Sequence, residues 1–171
     1  MDKFEEVKLS STEQMLMSNS GLLGAEATAE GKIAAEVVYD ISKLNNTQNF
    51  QAGGLAHILE GELNKKGDAV GFHYEGMPNQ KGRVIPGTEK GPNAQGVYTA
   101  KVEVAGVRKN SFSSFFPKDW TPQQIVDAIN EAYENRQLIS GDKYSGISSS
   151  GIEIHMYLNK NKITTAFPIF Q

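Results

Sequence analysis

Two of the three histidines in this chain of 171 residues, His57 and His73, fall within one short stretch, AHILEGELNKKGDAVGFHYEG. Each stands beside small or glycine-rich backbone at the edge of an apolar run. Imidazole accepts a proton and returns one near neutral pH, so two in one segment make a candidate acid/base pair. The same spacing also suits two unrelated histidines, one capping a turn and one half buried. Further along, Lys109 and Ser113 stand four apart in KNSFS, just ahead of the aromatic pair Phe115-Phe116. The third histidine, His155, falls mid-strand on a polar face with no motif around it, as a surface or hydrogen-bonded histidine would.

Such residues need a scaffold, and the length supplies one domain with a core. With 39% hydrophobic and 22% charged residues the composition is that of an ordinary globular protein. No apolar run approaches the roughly 18 residues of a membrane span, so a soluble chain is expected. The opening MDKFEEVKLSSTEQ lacks the basic start and apolar centre of a signal peptide; delivery inside a longer polypeptide stays open. Cysteine is absent, which removes disulfides, thiolate zinc sites and cysteine nucleophiles together. Three scattered histidines without ligand spacing imply neither a metal nor another cofactor.

The net charge of -3 is unevenly spread. From Lys65 to Lys118 there are nine basic and four acidic side chains, so that segment carries +5 and the remainder -8. A basic centre in an acidic chain can hold a polyanion locally while the whole repels polyanions at large. Lysines solvated in loops would give the same count.

Residues up to about Leu23 show no clean periodicity and are expected to form a mobile or partner-ordered lead. From Ala25 to about Leu44, Ile33, Val37, Val38, Ile41 and Leu44 recur at helical spacing, predicting an amphipathic helix that ends in NNTQN. Gly53-Gly54 opens a short helix or tight turn that carries His57. The stretch from Glu75 to Gly96, with three prolines and repeated glycines, reads as a long loop. Val97 to Val107 alternates, with Tyr98, Ala100, Val102 and Val104 on one face, as a half-buried strand requires.

Thr121 and Gln124 form a capping box for a helix from Pro122 to about Arg136, with Trp120 and Ile125 at the staple positions. A Gly/Ser-rich stretch, 140–151, separates it from a strand alternating at Ile152, Ile154, Met156 and Leu158. The Asn159-Lys160-Asn161-Lys162 turn then feeds a last strand, Ile163 to Phe167. Helices first, then antiparallel strands with one intervening helix, is an α+β order.

This order of pieces resembles the EndoU family of endoribonucleases, in particular the bacterial EndoU nuclease domains at the C-terminal ends of toxins used in competition between bacteria. The residues carrying the resemblance are HILEGE at His57, GFH at His73, Lys109 and Ser113 in KNSFS, FFPKDWT at the helix start, and the terminal ITTAFP. It covers about 45–171, leaving 1–44 as a lead and helix packed on the nuclease. The family's first motif often has an acidic residue after its glycine, here Glu62. This chain has a single Gly71 where the family often has a fuller glycine run, and Phe167 where a tyrosine is frequent.

The resemblance implies an EndoU-like α+β fold and a metal-independent endoribonuclease. Its reaction would be attack of the 2'-hydroxyl on the adjacent phosphate, leaving a 2',3'-cyclic phosphate. Such a reaction needs a base for the hydroxyl proton, an acid for the departing oxygen and positive charge beside the phosphorane. By analogy His73 is the base, His57 the acid and Lys109 the electrostatic stabiliser. Ser113 and Thr165 would then contact base or ribose, and Phe167 would stack on a nucleobase; for Phe167 a place in the core is as good a reading. Implied partners are RNA, with transfer RNA a candidate, and a cognate immunity protein. The site of action would be the cytoplasm of a target cell, reached as part of a larger toxin. An RNA-binding or interaction module that kept the fold and lost catalysis is the alternative.

Overall fold

The computed structural model describes residues 25–27 and 33–171, and the chain divides into two compact units, 1–38 and 39–171. In the first unit β1 (Ala25–Ala27) pairs antiparallel with β2 (Ile33–Ala35). The amphipathic helix expected over 25–44 is therefore not formed. Its tail becomes a 3-10 turn at Ile41–Lys43, because Asp40 caps that turn instead of lining a polar helix face. The Asp40 carboxylate accepts from the Ser42 amide at 3.0 Å and hydroxyl at 2.7 Å. Short side chains that bond nearby backbone compete with helix in this way. Leu44 does enter the core, with Ile41 packed against it, in the second unit. The lead up to Leu23 lies outside the described residues.

The second unit is α+β, as expected, with two helices and several small antiparallel sheets. Helix α1 (Gly54–Glu60) leads into the ribbon β3 (Glu62–Leu63) and β4 (Ala69–Val70). The loop expected from Glu75 to Gly96 contains β5 (Gly82–Val84). The alternating stretch forms two strands, β6 (Tyr98–Ala100) and β7 (Val102–Val104), separated at the exposed Lys101. β7 pairs with β5 and with β8 (Val107–Arg108), while β6 pairs with β9 (Ser113–Phe115). The alternation holds across the break, and all four apolar residues are buried.

Helix α2 (Pro122–Glu134) carries the expected capping box, with Thr121 and Gln124 bonded reciprocally. It buries Ile125, Val126 and Ile129. Its floor is a four-stranded sheet in simple sequence order, β10 (Gln137–Ser140), β11 (Lys143–Ile147), β12 (Glu153–Asn159) and β13 (Lys162–Pro168). β11 lies inside the stretch 140–151 expected as a separator, and β10 fills the residues between the expected helix end and that stretch. A Cβ on Gly146 would sit 1.9 Å from the Ala132 carbonyl oxygen, so the helix backbone lies directly on β11 and only glycine fits beneath it.

Two cores result. The larger lies under both helices against β12 and β13; the smaller gathers Phe72, Tyr98, Val102, Val104 and Phe115. Segment 71–74 runs between α1 and β9 and contributes to both: Phe72 packs in the smaller core, Tyr74 in the larger. Among the described residues no helix is long and apolar enough to cross a membrane.

Candidate active site

The two histidine segments are joined by backbone. The last carbonyls of a helix lack intrahelical partners and must find them elsewhere. At the end of α1 the His57 carbonyl accepts from the Phe72 amide at 3.0 Å, and the Ile58 carbonyl accepts from the His73 amide at 2.7 Å. On its other side the His73 carbonyl accepts from the Phe116 amide at 2.9 Å. His73 is thus clamped between α1 and the end of β9.

This approach depends on Gly71. Its φ is +76°, and a Cβ there would lie 2.1 Å from the His57 carbonyl oxygen. Phe72 follows with φ 71°, a conformation rare outside glycine, which costs about 1–3 kcal/mol. Complete burial of its ring, edge-on to Phe115 at 5.2 Å, returns a similar amount, about 1.5–3 kcal/mol.

Each imidazole has its own partner. His57 Nδ1 lies 2.9 Å from the Glu62 carboxylate, with the histidine side chain 18% exposed. His73 Nδ1 lies 2.7 Å from the Ser114 carbonyl oxygen. A carbonyl only accepts, so Nδ1 of His73 carries the hydrogen and Nε2 of the neutral ring is left with its lone pair. Burial holds the His73 imidazolium well below its ordinary range; the nearby Lys109 ammonium and His57 push the same way, against the Ser114 hydrogen bond.

Lys109 Nζ donates to the Gly71 carbonyl at 3.0 Å and to Ser113 Oγ at 3.2 Å. Burial lowers its pKa to about 8. Ser113 is fully buried, and its hydroxyl donates to the Phe72 carbonyl at 2.6 Å. It therefore sits behind Lys109 with its hydrogen bond given to the backbone, whereas the family resemblance implies contact with base or ribose.

Thr165 and Phe167 reach the site through a bulge. Tyr157 pairs with Thr165 but Leu158 pairs with Ile163, so Thr164 is the extra residue. Burial jumps from Ile163 to Ala166, which turns Thr165 and Phe167 together to the other face. The Phe167 ring stacks on His73 at 5.5 Å and 28° and is half-buried, so it faces the cleft and is not enclosed in the core.

His57, His73, Lys109, Thr165 and Phe167 all line one cleft of about 370 Å³, together with Gly71. Ser113 does not line it. From sequence, Glu62 has no role as the partner of His57, although HILEGE places it five residues beyond the histidine, just past the end of α1. The Ser114 carbonyl has no side-chain signature at all. His155 is hydrogen-bonded, 2.8 Å from Glu153, beside Phe167 at 6.0 Å.

Two facing imidazole-bearing segments and a buried ammonium in one cleft suit proton transfer at an anionic centre. The sequence model of the family described as bacterial EndoU nuclease matches residues 51–170, which takes in this whole set. The chain belongs to the bacterial EndoU nuclease family. A protein of Bacillus cereus named "Toxin" is 54% identical over 132 residues, 75% of this chain. The EndoU chain spans 24% of that relative's length. No solved structure matches the chain.

Proposed function

We propose that this EndoU chain is an endoribonuclease that works without a metal ion, by 2'-hydroxyl transesterification. The observation carrying the proposal is the unequal tethering of two histidines around one cleft: one ring on a carbonyl and neutral, the other on a carboxylate. His73 Nε2 takes the proton of the 2'-hydroxyl. The 2'-oxygen then attacks phosphorus, and the bond from phosphorus to the 5'-oxygen breaks. That oxygen leaves with a proton from His57 Nε2, whose ring keeps its Nδ1 hydrogen on Glu62. Lys109 faces the charge that builds on the phosphorane, where a preorganised ammonium contributes most. The products are a 2',3'-cyclic phosphate and a 5'-hydroxyl.

Thr165 is the candidate hydrogen-bonding partner for base or ribose, and Phe167 the stacking partner of a nucleobase. Ser113 positions Lys109. Incubating the purified chain with total RNA in a chelator tests the reaction: fragments should end in cyclic phosphate and vanish with His73→Ala. Intact RNA, or cutting unchanged by that substitution, would sink it. RNA binding without cutting would instead mark a binding module on the same fold.

The biological setting belongs to the same proposal. The Bacillus cereus relative is named a toxin and is much longer than the matched part, which supports delivery as one section of a larger toxin polypeptide. The site of action would be a target-cell cytoplasm, with transfer RNA a candidate substrate. A producing cell would need a cognate immunity protein, and the +5 segment offers the face for an acidic one. Copurification with such a protein should weaken as salt rises; an interface remote from the cleft would contradict this.

A further inference from the structure

A second cavity of about 320 Å³ adjoins the cleft and is not used by the chemistry above. Lys109, Ser111 and Phe112 line both; Lys101 and Arg108 line only the second. Phe112, on the loop before β9, is 45% exposed, the opposite of what burial asks of a phenyl ring. Lys90 and Lys101 ammonium groups lie 5.2 and 5.6 Å from its centroid.

The backbone arranges this. Lys90 bridges Thr99 through paired hydrogen bonds of 2.8 and 3.0 Å, and Lys101 is two residues beyond Thr99, which itself lines the cleft. Lys90, Lys101 and Arg108 are exposed, and none has a carboxylate within ion-pair distance among the described residues. Elsewhere in the same basic segment Arg83 and Lys118 are both paired with glutamates. Cations with no carboxylate partner among the described residues, gathered around an exposed ring and continuous with the cleft, are the parts of a single-stranded nucleic-acid subsite.

We infer that Phe112 with Lys90, Lys101 and Arg108 forms an extended RNA subsite that holds a nucleotide flanking the cleaved dinucleotide step, its base on the phenyl ring and its phosphate among the cations. This rests on the endoribonuclease reading. An exposed contact between ammonium and ring is weaker than a base stacked on an aromatic face, so an incoming base displaces the lysines. The displaced ammonium groups then meet the phosphate that arrives with it. The subsite makes the enzyme prefer a single-stranded segment longer than the cleaved step, because a paired base has no free face to offer.

The test compares a dinucleotide with a tetranucleotide that contains the same central step, using the full chain. The readout is the ratio of kcat/KM on the longer substrate to that on the shorter. Phe112→Leu, which keeps apolar bulk, should lower the ratio about tenfold, as loss of one stack implies. Phe112→Trp should preserve it. Lys101→Ala with Arg108→Ala should lower it and flatten its dependence on salt. A ratio unmoved by Phe112→Leu and by the double substitution overturns the subsite. Affinities for the 2'-O-methyl forms, which lack the nucleophile, separate the two claims. If the parent cuts nothing, the nuclease reading fails; the subsite then stands only if Phe112→Leu weakens binding of the tetranucleotide more than of the dinucleotide.

Discussion

Burial acts on His73 and Lys109 in the same direction and with opposite consequences for catalysis. A neutral His73 is the form that accepts a proton, so in the proposed mechanism depression of its pKa keeps the base available well into acid. A neutral Lys109 stabilises nothing, so a pKa of about 8 removes the charge as pH rises through that value. A substrate with a 4-nitrophenolate leaving group needs no acid and isolates these two. On it, kcat/KM should fall only well below pH 6.5 on the acid side and near pH 8 on the alkaline side, and His57→Ala should be harmless. On RNA the same substitution should cost about 10²–10⁴-fold in kcat, as lost acid catalysis does; equal loss on both substrates would refute the assignment. Lys109→Met tests the cost of the charge. The unfolded chain binds more protons than the folded one between pH 8 and 10.5, so below that window the buried ammonium is a net burden. After allowance for its two lost hydrogen bonds, the methionine variant should be more stable by about 1–2 kcal/mol. Urea denaturation at pH 7 measures this, and kcat should drop about 10²–10³-fold. Side-chain chemistry singles out His57 and His73 in the sequence as candidates, whereas Lys109 joins them through the family resemblance. The resemblance implies a substrate contact for Ser113, and the sequence offers no check on it, because a hydroxyl reads the same whether it faces water or protein. Glu62 stood inside a quoted motif with no role, and the carbonyl that fixes the His73 tautomer is backbone.

At the scale of elements, the site depends on one chain segment lying across the end of α1. Gly71→Ala forces either the Phe72 and His73 amides off their carbonyls or the helix end to move, because the new methyl meets backbone. Gly67→Ala is the control: it shares a positive φ, 84°, but has nothing within 4 Å. The control should lose about 1–2 kcal/mol from conformation alone, and Gly71→Ala roughly twice that or more. Thermal denaturation of both, with RNA cutting, checks this: activity should survive in the control and vanish in Gly71→Ala. Equal losses would mean that the contact is soft. Legibility of the elements follows the same physics. Helix α2 was readable because capping box, proline and apolar spacing agree locally. β12 and β13 were readable from alternation, though not the bulge at Thr164 that aims Thr165 and Phe167. β11 was hidden because Gly146 answers to a helix packed on it and not to a turn. The spacing over 25–44 misled because an apolar period does not register the competing Asp40 cap or strand pairing.

For the whole molecule, the deciding quantity is the contrast between a +5 segment and a remainder of -8. Phosphates bound by cations release counterions, so affinity for single strands falls with log salt at a slope of about -0.7 per phosphate contacted. Lys90, Lys101, Arg108 and Lys109 are the cations around the cleft and its neighbouring cavity. Three to four such contacts give a slope of roughly -2 to -3 for log kcat/KM. An acidic remainder cannot add favourable contacts as RNA lengthens, so this slope should be the same for an eight-nucleotide strand and a thirty-nucleotide strand. A chain that gripped RNA over its whole surface would show a slope that steepens with length, as each added phosphate met another lysine. Potassium chloride titrations of initial rates on the two strands distinguish these cases. An invariant slope confines recognition to the cleft and its neighbouring cavity, where the acidic immunity protein proposed above would have to compete with RNA for the same cations.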